Sequence, residues 1–308
     1  MKQLSLGVLK IIGAILLVTM FACNSTNQTD AGDGTETGTD STATNDPSVS
    51  PEVIDEIIQS IPSPLEVSML IKSVEKEYRK DGLNSPKSAD SYTTNYQKAL
   101  NLGVYSTDLG YGNIYGKSQE SLEYLNAVKR LADGLAIGQF FDYATIKRLA
   151  ASNENIDSLL TITQTNFEKI NQHLRQQKRE SLSILILTGG WLEAVYLTAQ
   201  VYNSSKDPKL KEKLGEQKLV LKQILLVLDI FKNQPNFNEI ITDLNELDKI
   251  YNNINISVTK GQPKTTIDAD GNLVFVSNDI TTVTISDQDV DTITSLIKSI
   301  RGKIIKES

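Results

Sequence analysis

The sequence predicts a mainly α-helical bundle with a central apolar helix, followed by a small C-terminal antiparallel β-hairpin or sheet and a terminal helix. Three observations predict it. From Val53 onward, apolar residues recur at three- and four-residue steps, the period of one helix face. The stretch 182–202 is apolar almost all round, the mark of a helix buried on every side. After residue 255, β-rich runs flank an Asp-Gly turn, a hairpin signal.

The helical stripes come in chain order. Leu122, Leu125, Val128, Leu131, Ala132 and Leu135 form the first, and Ile156, Leu159, Leu160, Phe167, Ile170 and Leu174 the second. Leu210, Leu214, Leu221, Leu225 and Leu228 form a third, with Asp207 as N-cap and Pro208 at the first helical position, where its missing N–H costs nothing. Phe237, Ile240, Ile241, Leu244, Leu247, Tyr251 and Ile254 give the cleanest amphipathic pattern. Breaks are expected at Asp81-Gly82, Gly134 to Gly138, Ser152-Asn153, Asn203 to Asp207 and Asn233 to Asn236. For 182–202 a membrane span is the rival reading. Glu193 and the Gly189-Gly190 pair near its middle favour the core of a bundle instead. Thr265–Ile267 and Leu273–Val276 read as strands around the turn Asp268–Asn272, and Ile280–Ile285 as a third strand expected to pair with them. Ser286, three residues before Asp289, opens a last helix to about Ile305.

Four segments follow: a signal peptide over 1–22, a tether over 23–50, the helical bundle over 51–255, and a hairpin or small sheet plus terminal helix over 256–308, packed on the bundle. Lys2 and Lys10, the apolar run Ile11–Val18 and small Ala22 before Cys23 follow the order of an export signal. Leu4 to Ala22 is about nineteen residues, near the roughly 20 that span a bilayer, so an uncleaved anchor competes. The single cysteine decides against that anchor, because a lone thiol in an oxidising compartment needs a use. Met20-Phe21-Ala22-Cys23 resembles the bacterial lipobox, with Met and Phe at its first two positions as departures. The resemblance implies a diacylated Cys23, and two acyl chains suffice for stable anchoring. Asn24 after it favours the outer membrane, by analogy with enterobacterial sorting. Residues 24–50 hold no aromatic and no Lys or Arg, too little apolar surface to offset ordering. A coil of that length reaches roughly 30 Å.

Charge and composition exclude several function classes. Processing takes two of the 31 basic residues and none of the 38 acidic ones, moving the formal charge from −7 to −9. An acidic chain without a basic cluster is a poor partner for nucleic acid. One histidine and one acylated cysteine cannot assemble a zinc site or a Cys–His nucleophile, so no metal and no cofactor is expected. His173 sits in a polar stretch at a helix end and reads as a surface residue. It is followed by Gln176 where the imelysin motif has Glu, so that family is excluded. P-loop and GxGxxG motifs are missing. The acidic clusters at Asp268 and Asp287 lack the EF-hand's glycine at position six and glutamate at twelve.

The candidate site residues lie on two helices. Helical spacing puts Tyr105, Asp108, Gly112 and Tyr115 on one face, with Tyr111 beside them. Glu193 stands between Trp191 and Tyr196 on the all-apolar helix. A carboxylate among phenols reads either as a binding surface or as a buried polar network satisfied by hydroxyls. A buried glutamate is costly unless paired, and its pKa rises when it lacks a cation.

The motifs Ile61-Pro-Ser-Pro-Leu-Glu66, Ala99-Leu-Asn-Leu-Gly-Val-Tyr105 with Asp108-Leu-Gly-Tyr111, and Gly189-Gly-Trp-Leu-Glu-Ala-Val-Tyr196 resemble a group of uncharacterised lipoproteins of Bacteroidota. That resemblance implies an envelope location and no particular activity. The expected function is a non-enzymatic binding or scaffolding role, lipid-anchored in the cell envelope, on the periplasmic face or the surface of the outer membrane, with an envelope protein as partner. The alternative is a small-molecule or glycan receptor with a pocket between the 96–115 and 182–202 helices. A hydrolase using the Asp108 and Glu193 carboxylates comes third.

Overall fold

A computed structural model describes residues 51–152, 156–262, 264–267, 273–276 and 279–306. Cys23 and the stretches 1–22, 23–50 and 268–272, expected to be a signal peptide, a tether and a hairpin turn, lie outside the described residues. Two compact units are present: 51–258 with 281–306, and 259–280.

The larger unit is a helical bundle. Its elements are α1 (Pro51–Ser60), α2 (Pro64–Val74), α3 (Asn95–Ile114), α4 (Ser118–Gly134), α5 (Tyr143–Ser152), α6 (Ile156–Gln176), α7 (Glu180–Ser205), α8 (Pro208–Ile230), α9 (Phe237–Tyr251) and α10 (Asp287–Ile305). The stripes read from the sequence point inward: Leu125, Val128 and Leu131 of α4, Leu210, Leu214 and Leu221 of α8, and Ile240, Leu244 and Leu247 of α9 are all buried. Asp207 caps α8 by accepting from Lys209 N at 2.8 Å, and Ser286 caps α10 by accepting from Asp289 N at 3.0 Å.

α3 and α7 form the bundle's centre and its most extensive helix pair. α3 begins with a capping box: Gln97 N donates to Thr94 Oγ1 at 3.1 Å, and Thr94 N donates back to Gln97 Oε1 at 3.3 Å. Two glycines allow the crossing. A Cβ on Gly103 would overlap Ile186 O, and one on Gly189 would overlap Leu100 O, so each helix meets the other's bare backbone. The Thr107 hydroxyl seals the crossing, shared between Gly103 O at 3.1 Å and Gly190 O at 3.2 Å. α7 is the predicted central helix. With a mean hydropathy of 1.5 it is long and apolar enough to cross a membrane, yet 94% of that window is buried inside the protein.

At the C-terminal end the sequence expectation needs a correction. The segment Ile280–Thr284 (β4) is a strand but does not join the hairpin; it pairs with β1 (Asn255–Thr259), which the sequence reading did not anticipate. α9 leads into β1 and β4 leads into α10, and α9 packs on α10, which brings the two strands together. α10 itself buries Ile293, Ile297, Ile300 and Ile304 and packs on α7, α9 and α3. In the smaller unit, β2 (Lys264–Ile267) and β3 (Leu273–Val276) pair antiparallel, from Lys264 opposite Val276 to Ile267 opposite Leu273, the predicted hairpin.

Candidate functional site

The two carboxylates singled out in the sequence meet in the core. Asp108 of α3 and Glu193 of α7 are both fully buried and in hydrogen-bonding contact with each other. Arg301 of α10 supplies the cation: its Nε donates to Glu193 Oε2 at 2.5 Å and its Nη2 to Glu193 Oε1 at 2.9 Å. The same Nη2 donates to Gly82 O at 3.0 Å, and the guanidinium lies over the Tyr196 ring, 4.2 Å from its centroid. Asp108 Oδ2 accepts from Asn84 N at 3.1 Å, while no donor reaches Oδ1.

The protonation of this cluster follows from its charges. Burial pushes Asp108 well above the usual carboxylate range, and the negative charge of Glu193 pushes the same way, against Arg301 and the Asn84 N–H. Burial also raises Glu193, opposed by the Arg301 ion pair and by the hydrogen bond from Asp108. Two carboxyls in contact must share a proton, and a single guanidinium balances a single negative charge. Of the two, Asp108 is the one pushed furthest towards its protonated form, while the Arg301 ion pair favours the charged form of Glu193. Glu193 is tied to Arg301 and Asp108 to the Asn84 N–H, and neither carboxylate lines the cavity described below.

The phenols of α3 have a different job. Tyr105 donates to Ser85 O at 2.6 Å and Tyr115 to Glu75 O at 2.7 Å, while Tyr111 OH accepts from Arg79 N at 3.3 Å. They pin the non-helical stretch 75–85 across the bundle. Tyr78 of that stretch packs on Tyr111 and Tyr115, with centroids 5.5 and 5.8 Å away. Burial raises the Tyr105 and Tyr115 hydroxyls above the ordinary phenol range, so they stay protonated donors. Tyr105, Asp108 and Gly112 thus face the loop and α4 side of α3.

A cavity of about 410 Å³ opens on another face of the same two helices. α3 contributes Leu102, Ser106, Leu109, Gly110 and Asn113, and α7 contributes Ile186, Leu187, Gly190 and Trp191. Ile61, Pro62 and Pro64 at the α1–α2 junction line it too, as do Phe141, Ile146, Phe167 and Ile170. Exposed Gln59, Gln164 and Glu168 stand at its rim. Its size falls within the roughly 300–1,000 Å³ of ligand pockets, and its wall is mainly apolar with a few polar groups, their usual composition. Of the candidates from the sequence, Trp191 alone lines it, with its Nε1 donating to Gln217 Oε1 at 2.9 Å.

The sequence reading missed three participants: Arg301 in the carboxylate cluster, and Asn113 and Asn166 on the cavity wall. Arg301 carries a signal: it sits beside Ile300 on the stripe Ile293, Ile297, Ile300, Ile304, where an apolar residue would be ordinary. Asn113 and Asn166 carry none, since a polar residue on an apolar helix face is usually satisfied within the fold. His173, expected at the surface, is half-buried with its ring 4.7 Å from that of Phe140.

No protein-family model, curated protein or solved structure matches the chain.

Proposed function

We propose that this protein is a non-catalytic receptor that binds a small, largely apolar molecule in the cavity between α3, α6 and α7. The observation that carries the reading is that cavity of about 410 Å³, walled by aliphatic and aromatic side chains and rimmed by polar ones. The fate of Asp108 and Glu193 supports a binding role over a hydrolytic one: both are spent on Arg301, Asn84 and each other, away from the cavity. Under this reading the receptor is held at an envelope membrane through a lipid on Cys23, a placement that rests on the 1–23 sequence pattern alone.

Titration of the full chain with Nile red, an uncharged apolar dye, tests the reading. Saturable 1:1 fluorescence enhancement, abolished by Ser106→Trp filling the groove, is the expected result. Binding that is absent, or indifferent to Ser106→Trp in a folded variant, overturns it.

A further inference from the structure

The middle of the inward face of α6 fronts the cavity. Thr163, Asn166, Phe167 and Ile170 recur at three- and four-residue steps, and all four line it, beside Phe141 and Ile146. Side chains that face a void lack the contacts that hold a packed helix in place. Of the described side chains of α5 and α6, only Ile146, Asn166, Ile170, Asn171 and Leu174 are buried. α7, by contrast, is buried along nearly its whole length.

The burial is also uneven along α6. Ile170, Asn171 and Leu174 anchor its C-terminal end, where Phe140 packs on His173 with ring centroids 4.7 Å apart. Towards the other end, the side chains from Leu160 to Thr165 are half-buried or exposed.

The excursion through α5 and α6 starts and ends at one place. The chain leaves α4 through Ala136 and passes from α6 to α7 through Lys178, both left-handed, with φ of 57° and 55°. Arg179 Nη2 donates to Leu135 O at 3.1 Å, which ties the two roots together. Leu135 and Ile137 are buried in the core, so the roots are fixed where the far end is packed least.

We infer that α5 and α6 form a lid over the cavity, hinged at the Leu135–Arg179 bond and the C-terminal end of α6, which swings out to admit the ligand and closes on it. A ligand filling the cavity gives α6 the packing partner that its inner face lacks, so occupancy favours the closed state. This inference rests on the receptor reading above and adds the way the ligand enters.

The test is the distance between spin labels at Thr165→Cys on α6 and Lys222→Cys on α8, in the full chain with Cys23→Ser. Without ligand the pair should show two distances, and saturating Nile red should leave only that of the closed lid. A reference pair, Lys222→Cys with Asn245→Cys on α9, should not change. Arg179→Met should raise the open share and speed Nile red association at least threefold, since lid opening gates entry. Arg130→Met, which removes a bond of the same kind to Pro86 O, should change neither. A distribution for the 165–222 pair that dye binding leaves unchanged overturns the lid and leaves the receptor reading intact. Failure of Nile red to bind overturns both.

Discussion

Arg301 grips Glu193 with two hydrogen bonds, 2.5 Å from Nε and 2.9 Å from Nη2, and so joins the last helix of the bundle to its central one. The two residues are 108 positions apart in the chain, and both are almost wholly shielded from water. In this setting the attraction between them largely offsets desolvation, and removing one partner strands the other.

Glu193→Gln should therefore lower stability by about 3–5 kcal/mol, because Arg301 is left as an uncompensated buried cation. The double substitution Glu193→Met, Arg301→Met should recover most of that loss. Urea unfolding of the three variants checks it, and a double variant no more stable than Glu193→Gln would contradict this account of the pair.

Asp108→Asn should be benign at low pH and stabilising at higher pH. The sign follows from linkage: the folded-state pKa of Asp108 is raised, so the protonated folded form resists deprotonation that the unfolded chain undergoes near pH 4. Stability of the parent then falls as pH rises from about 4 towards the folded-state pKa, by up to about 1.4 kcal/mol per pH unit from this group. Asparagine keeps the donor to Glu193 and the acceptor for Asn84 N without the titration. The stability difference between variant and parent, measured from pH 4 to 8, should widen as pH rises.

Gly103→Ala should cost more than the roughly 1–3 kcal/mol of ordinary overpacking, since its methyl meets the Ile186 carbonyl rather than a movable side chain. Gly302→Ala, with nothing within 4 Å of its Cβ, should cost nothing and serves as the control. Thermal unfolding of both variants reads the difference.

Tyr115→Phe removes the 2.7 Å bond to Glu75 O and should lower global stability by only about 1 kcal/mol. Its larger effect should be local. Amide exchange across 75–85 should quicken while α3 and α7 keep their protection, because that stretch lacks helical hydrogen bonds of its own.

What the sequence by itself determined was local and periodic. The stripes on α4, α8 and α9, the Asp207 and Ser286 caps, the β2–β3 hairpin and the all-apolar α7 follow from side-chain spacing, which each segment carries whatever surrounds it. Asp108 and Glu193 were conspicuous for the same reason, as charges on apolar stretches. Their partner was decided only when α10 folded back over α7, since the attraction of Glu193 for Arg301 depends on distance in space and not along the chain. The pairing of β4 with β1 was decided likewise, by α9 and α10 lying together. So was the cavity, whose wall draws on residues from Ile58 to Trp191. A void is the space that packing leaves between helices, so no single helix's periodicity encodes it.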